Sequence, residues 1–180
     1  MRRAAWIQHI RKISRISVIF GVFIWVLPAK AGQLTLSPAL TAELNQVLSI
    51  SDVLHRSLVE QNEEQIEISL REIVLQLEKA RAASYMAKPH DRRHLIKMLD
   101  AAYEQFELTQ SSYGDERKAR LAEGFHQLAN LVRVYKLDRS FEIFFCPKDR
   151  TTWVQKGHIA RSPFRNQRQS RETCGIRVSR

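Results

Sequence analysis

Only two cysteines, Cys146 and Cys174, occur in the 180 residues, and the first 31 positions carry no acidic residue. Beyond residue 31 there is no internal repeat, no low-complexity stretch and no apolar run approaching the ~20 residues that cross a bilayer as a helix. Each absence excludes something. Two thiols alone make a weak metal site, because thiolate centres usually recruit two further ligands. No nucleophile elbow, phosphate-cradling glycine loop or His-Glu-x-x-His pattern places the available Ser, His and Asp residues for a reaction. The chain is therefore expected not to be an enzyme. Aromatic residues are too sparsely interleaved with its basic stretches to suggest a nucleic-acid surface.

What is present begins with a leader-like segment. Arg2, Arg3, Arg11, Lys12 and Arg15 form a basic region, Ile16 to Leu27 a short apolar run, and Ala29-Lys30-Ala31 puts small residues at the −3 and −1 positions of a cleavage site. The uncharged run from Ile16 to Ala29 is too short to span a bilayer, and no cysteine follows it to carry a lipid. Residues 1–31 are accordingly expected to be a cleaved signal peptide, with the mature protein starting near Gly32, periplasmic or secreted, and without a transmembrane span. The alternative is an uncleaved membrane anchor.

The formal charge of +10 sits at the two ends. Residues 1–31 hold six basic side chains, residues 32–146 hold 14 basic and 17 acidic, and residues 147–180 hold nine basic and two acidic. After cleavage, 23 basic residues stand against 19 acidic, a balance of +4. In an oxidising compartment, two cysteines bracketing a loop-rich segment most often pair. Linking Cys146 to Cys174 would close a loop of about 29 residues, worth roughly 3 to 4 kcal/mol on a chain-entropy estimate.

The middle of the chain carries four apolar stripes at spacings of three and four. Ser37-Pro38 starts a helix expected to run to about Gln61, with Leu40, Leu44, Val47, Leu48, Ser51, Leu54 and Leu58 on its inner face. Asn62-Glu63-Glu64-Gln65 has the form of a capping box before a second stripe of Ile66, Leu70, Ile73, Val74, Leu77 and Ala80. Pro89 opens a third helix with Leu95, Met98, Leu99, Ala102, Tyr103 and Phe106 inward. Asp115-Glu116 opens a fourth, with Leu121, Phe125, Leu128, Val132 and Tyr135.

After Lys136 the period changes. Phe141 to Phe145 has the composition of a strand, Thr151 to Gln155 can pair with it across a turn, and Gly175 to Val178 is a third short strand or an ordered end. From His158 to Thr173 the chain is polar and basic, a loop held at its base by the cysteines. The expected fold is mainly α: an antiparallel four-helix bundle over residues 32–140, with a small β/loop cap over 141–180 closed by a disulfide.

In the tail, Cys146-Pro147, Trp153, Gln155-Lys156-Gly157, Ser162-Pro163-Phe164 and Cys174-Gly175 resemble the C-terminal signature of an exported helical domain of bacterial envelope proteins. That domain occurs alone or fused to membrane-fusion adaptors of heavy-metal efflux pumps. The signature residues here are Pro147, Trp153, Gly157, Pro163, Phe164 and Gly175. Three positions depart from the family pattern: Lys148 stands where it has Met, Ser162 where it has Asn, and no Met precedes Cys174. Thiolate and thioether together would suit a soft ion such as Cu(I), and this chain keeps only the thiols. The resemblance implies an accessory in copper or silver homeostasis, with an envelope or efflux protein as partner. Reduced Cys146 and Cys174 would be its soft-metal ligands if a metal binds; otherwise no cofactor is expected.

A second reading makes the chain a stapled interaction module. Its basic loop, Arg161, Arg165, Arg168 and Arg171, would bind anionic envelope material or an acidic protein. His90 and His94, at i and i+4 beside Met86 and Met98, are expected to be a solvated flank rather than a metal site. His126, Tyr103 and Tyr135 are expected at the edge of the core.

Overall fold

A computed structural model describes residues 32–86, 89–165 and 174–179, and only the backbone of residues 89–91. The expected leader and the positions Arg168, Arg171 and Arg180 lie outside the described residues. The four helices are α1 (Pro38–Glu60), α2 (Glu63–Ser84), α3 (Pro89–Ser111) and α4 (Gly114–Val134). They are followed by strands β1 (Phe141–Cys146), β2 (Thr151–Lys156) and β3 (Ile176–Val178). The protein is a mainly helical fold with a small three-stranded sheet and a Cys146–Cys174 disulfide. Among the described residues no helix is long and apolar enough to cross a membrane.

The starts of α1 and α2 are set by side-chain caps. The Ser37 hydroxyl accepts from the Leu40 amide at 3.4 Å, with Pro38 in the first turn. Gln61 ends α1 in the left-handed conformation (φ 57°), and the next amide, Asn62 N–H, reaches back to the Ser57 carbonyl at 3.0 Å. That bond changes the expected capping box. Asn62 Oδ1 accepts from Gln65 N–H at 3.1 Å, but the Asn62 N–H that Gln65 would return to is already spent on α1, so the Gln65 amide bonds Ser69 instead. One side of the box forms, and the same residue closes one helix and opens the next.

The stripes meet as expected. Leu44, Val47, Leu54, Leu70, Ile73, Leu77, Leu99, Phe106, Phe125 and Leu128 are all essentially inaccessible to water. At about 1.5–3 kcal/mol for each fully buried large apolar side chain, this packing rather than helix propensity holds the four helices. Consecutive helices pack as antiparallel neighbours, α1 on α2, α2 on α3, α3 on α4. The fourth side of the square is not a helix pair: β2 lies against both α4 and α1. The sheet therefore stands in the wall of the bundle and shares its core. Trp153, Phe141, Phe144 and Phe164 belong to the same apolar cluster as the helices.

The sheet order is β2-β1-β3, antiparallel throughout, with Phe144 opposite Trp153 and Ile143 opposite Val178. The Phe144 and Trp153 rings stack with centroids 5.8 Å apart. Leu34 exchanges backbone hydrogen bonds of 2.8 Å with Val134 and Lys136, fastening the segment before α1 to the end of α4.

Candidate functional site

The cap is built around the two cysteines. Cys146 ends β1 and Cys174 precedes β3, the strand beside it, so their Cα atoms lie 5.2 Å apart and the sulfurs are bonded to each other. Both residues are buried. Two glycines make the closure geometrically feasible. A Cβ on Gly175 would overlap the Cβ of Ala160 and crowd the Trp153 ring at about 3.1 Å, so only glycine lets the returning chain lie this close. Gly157, with φ +88°, turns the chain out of β2.

The residues that carry the resemblance serve the same framework. Trp153 is fully buried and donates from Nε1 to Gln155 Oε1 at 2.8 Å. Phe164 packs edge-on against Phe125 of α4, with ring centroids 6.0 Å apart, and Phe125 packs edge-on against Phe106. Pro163 is buried beside it, whereas Pro147 and Gly157 are exposed in turns.

A buried polar junction ties cap to bundle. Gln155 accepts from Trp153 and from Arg161 N–H (3.1 Å) and donates to the Ile159 carbonyl (2.8 Å), using both ends of its amide. Asp52 of α1 accepts from Lys156 N–H at 2.8 Å, and the Nε2 of His55, one turn along, meets the Arg161 carbonyl at 2.7 Å. An acceptor at Nε2 requires the proton there, so the neutral ring leaves Nδ1 bare, and Nδ1 has no partner among the described residues. Burial pushes the His55 pKa below 6.5, outweighing the bond to Arg161 and the nearby Asp52 charge.

Sequence reasoning missed Asp52 and His55. Their signal was position: eight residues after Leu44 and seven after Leu48, they fall on the inner stripe of α1, where an acid and an imidazole need partners.

Asp149, in the turn after Cys146, donates its N–H to the Cys146 sulfur at 3.4 Å, and its carboxylate is bonded to Arg165 Nε at 2.9 Å. Cys146, Cys174 and Asp149 form the one cluster of potential metal ligands among the described residues, their ligand atoms within 4.8 Å of one another. The chemistry of that donor set does not match copper(I). Sulfurs bonded to each other offer no thiolate, no thioether lies in the cluster, and a carboxylate is a hard ligand already held by an arginine.

The remaining candidates are dispersed. Met98 is buried whereas Met86 is 90% exposed, and His94 is exposed, so this group does not converge. The His90 side chain lies outside the described residues. His126 is half-buried at the edge of α4, and Tyr135 is fully buried rather than at the edge. Tyr103 is half-buried, with the Arg81 guanidinium 4.6 Å from its ring centroid and its hydroxyl bonded to Glu107. Of the expected basic patch, Arg161 is exposed and Arg165 is paired with Asp149. Comparison with known protein families, curated proteins and solved structures finds no match to this chain.

Proposed function

We propose that this chain is an exported, non-enzymatic binding domain whose disulfide-closed cap presents a basic loop to an anionic surface of the bacterial envelope. The observation that carries this reading is the charge balance of the cap. Its two described acids are both consumed: Glu142 pairs with His158 and Arg177, and Asp149 with Arg165. Arg150 and Arg161 stay exposed with no acidic partner among the described residues. The segment between Arg165 and Cys174 adds Arg168 and Arg171 against Glu172 alone. A loop anchored at both ends by a disulfide and a buried glutamine loses less freedom on binding than a free tail.

The signature in the cap also suggests a wider setting, as an accessory to heavy-metal efflux at the envelope. In that setting the domain acts by docking and its partner handles the metal, because the sulfurs here are joined.

The test is sedimentation of the oxidised domain, from Gly32 onward, with vesicles of phosphatidylglycerol in phosphatidylcholine. Binding is expected at about 0.05 M salt, lost by about 0.5 M as screening tightens. Exchange of Arg168 and Arg171 for Glu should weaken it by about tenfold or more without changing the fold. Equal binding to neutral vesicles, or none at low salt, would overturn the reading, and salt-sensitive capture by an acidic protein alone would move the partner from lipid to protein.

A further inference from the structure

A second site lies away from the disulfide, where the end of α1, the starts of α2 and α4, and the cap loop meet. There they line an open cleft of about 340 Å³. Its apolar lining comes from Leu58 of α1, Ile66 of α2, Leu121 of α4 and Pro163-Phe164 of the cap, with Gln61 among them. Its rim is cationic: Arg117 and Lys118 from α4 and Arg165 from the cap, against the single carboxylate of Glu63.

The two arginines are held in place from behind. Arg117 is bonded to Glu67 and Arg165 to Asp149, and neither acid lines the pocket. Lys118 is exposed and has no acidic partner among the described residues, so its ammonium is available to a ligand. The pocket is also entered by the first residue of α4, Gly114, preceded by Tyr113, which supplies no side-chain cap. Asp115 and Glu116 in the first turn of α4 offset the positive end of that helix, so the charge of the site rests on its side chains.

We infer that this pocket binds a small amphipathic organic anion, a carboxylate on a short hydrocarbon body, with the hydrocarbon against Leu58, Ile66 and Phe164 and the carboxylate at Lys118. The volume stands at the small end of ligand pockets, which run from about 300 to 1,000 Å³, and it suits a short acyl chain better than a peptide or polymer. An apolar lining gives a bare inorganic anion no hydrocarbon contact, and with Arg117 and Arg165 each paired to an acid, selection of an anionic head group falls to Lys118. The assignment does not rest on the basic loop, since its key residue is on α4.

The probe is octanoate, titrated into the ¹⁵N-labelled oxidised domain, with octylammonium and octanol as controls. Octanoate should give saturable amide shifts centred on Gly114, Arg117, Lys118 and Phe164, the controls much weaker ones. Lys118→Glu, at an exposed position, should weaken octanoate by about tenfold, as expected for losing one charge-assisted bond, and Lys118→Arg should retain it. The assignment is overturned if octanoate leaves these amides unmoved, if octylammonium binds equally, if Lys118→Glu binds unchanged, or if only phospholipid vesicles produce the shifts.

Discussion

His55 is the residue on which cap and helix depend most directly for their pH response. Its imidazole is buried neutral, donating to the Arg161 carbonyl, and its folded pKa is lowered because burial disfavours the charged ring. An unfolded chain takes up the proton near pH 6.5 and the folded chain resists it, so the unfolded state binds more protons in the interval below. Stability is therefore full above about pH 6.5 and declines as pH falls from there toward the lowered folded value. Urea midpoints at pH 7.5 and 5.5 should show that decline, and His55→Gln should flatten it over the same interval.

Gly175 tests the packing around the disulfide in the same way. Gly175→Ala places a methyl into Ala160 and the Trp153 ring, and overpacking of this kind costs about 1–3 kcal/mol. Pairing it with Ala160→Gly should recover part of the loss in denaturant melts, because the two changes act on one contact.

Among the elements, the α1–α2 junction is the most economical. Asn62 lends its N–H to the end of α1 and its side chain to the start of α2. Asn62→Ala removes only the second bond and should cost about 1 kcal/mol in thermal or urea unfolding. The helices themselves were legible because one pattern, apolar residues three and four apart, reports burial directly. Leu44, Leu70, Leu99 and Phe125 all land at the core, and the flanking Leu58, Val74 and Tyr103 land half-buried. The strands were legible to within a residue from their aromatic and β-branched content.

The place of the sheet was not legible, nor was the junction that fixes it. Asp52, His55 and Gln155 are polar residues whose partners lie on other elements or across a turn, and local periodicity carries no information about a bond between residues 52 and 156. Phe164 illustrates the same limit. It stands in a polar loop, and only the fold shows that it reaches Phe125.

For the molecule as a whole, the disulfide decides which functional account holds. Joined sulfurs make Cys146 and Cys174 a staple between the end of β1 and the chain entering β3, and leave no thiolate. Separate thiols would free a cluster with Asp149 and reopen a metal role. The link spans 28 residues of sequence, and closing a loop of that size stabilises a fold by roughly 3 to 4 kcal/mol on chain-entropy grounds, so reduction should lower the urea midpoint accordingly.

The most direct test is a thiol count with intact mass on protein recovered without reductant from the compartment it occupies in the cell. No thiol reactive in denaturant and a mass lighter by two hydrogens are the expected results. Two reactive thiols in that sample would contradict the stapled-module account.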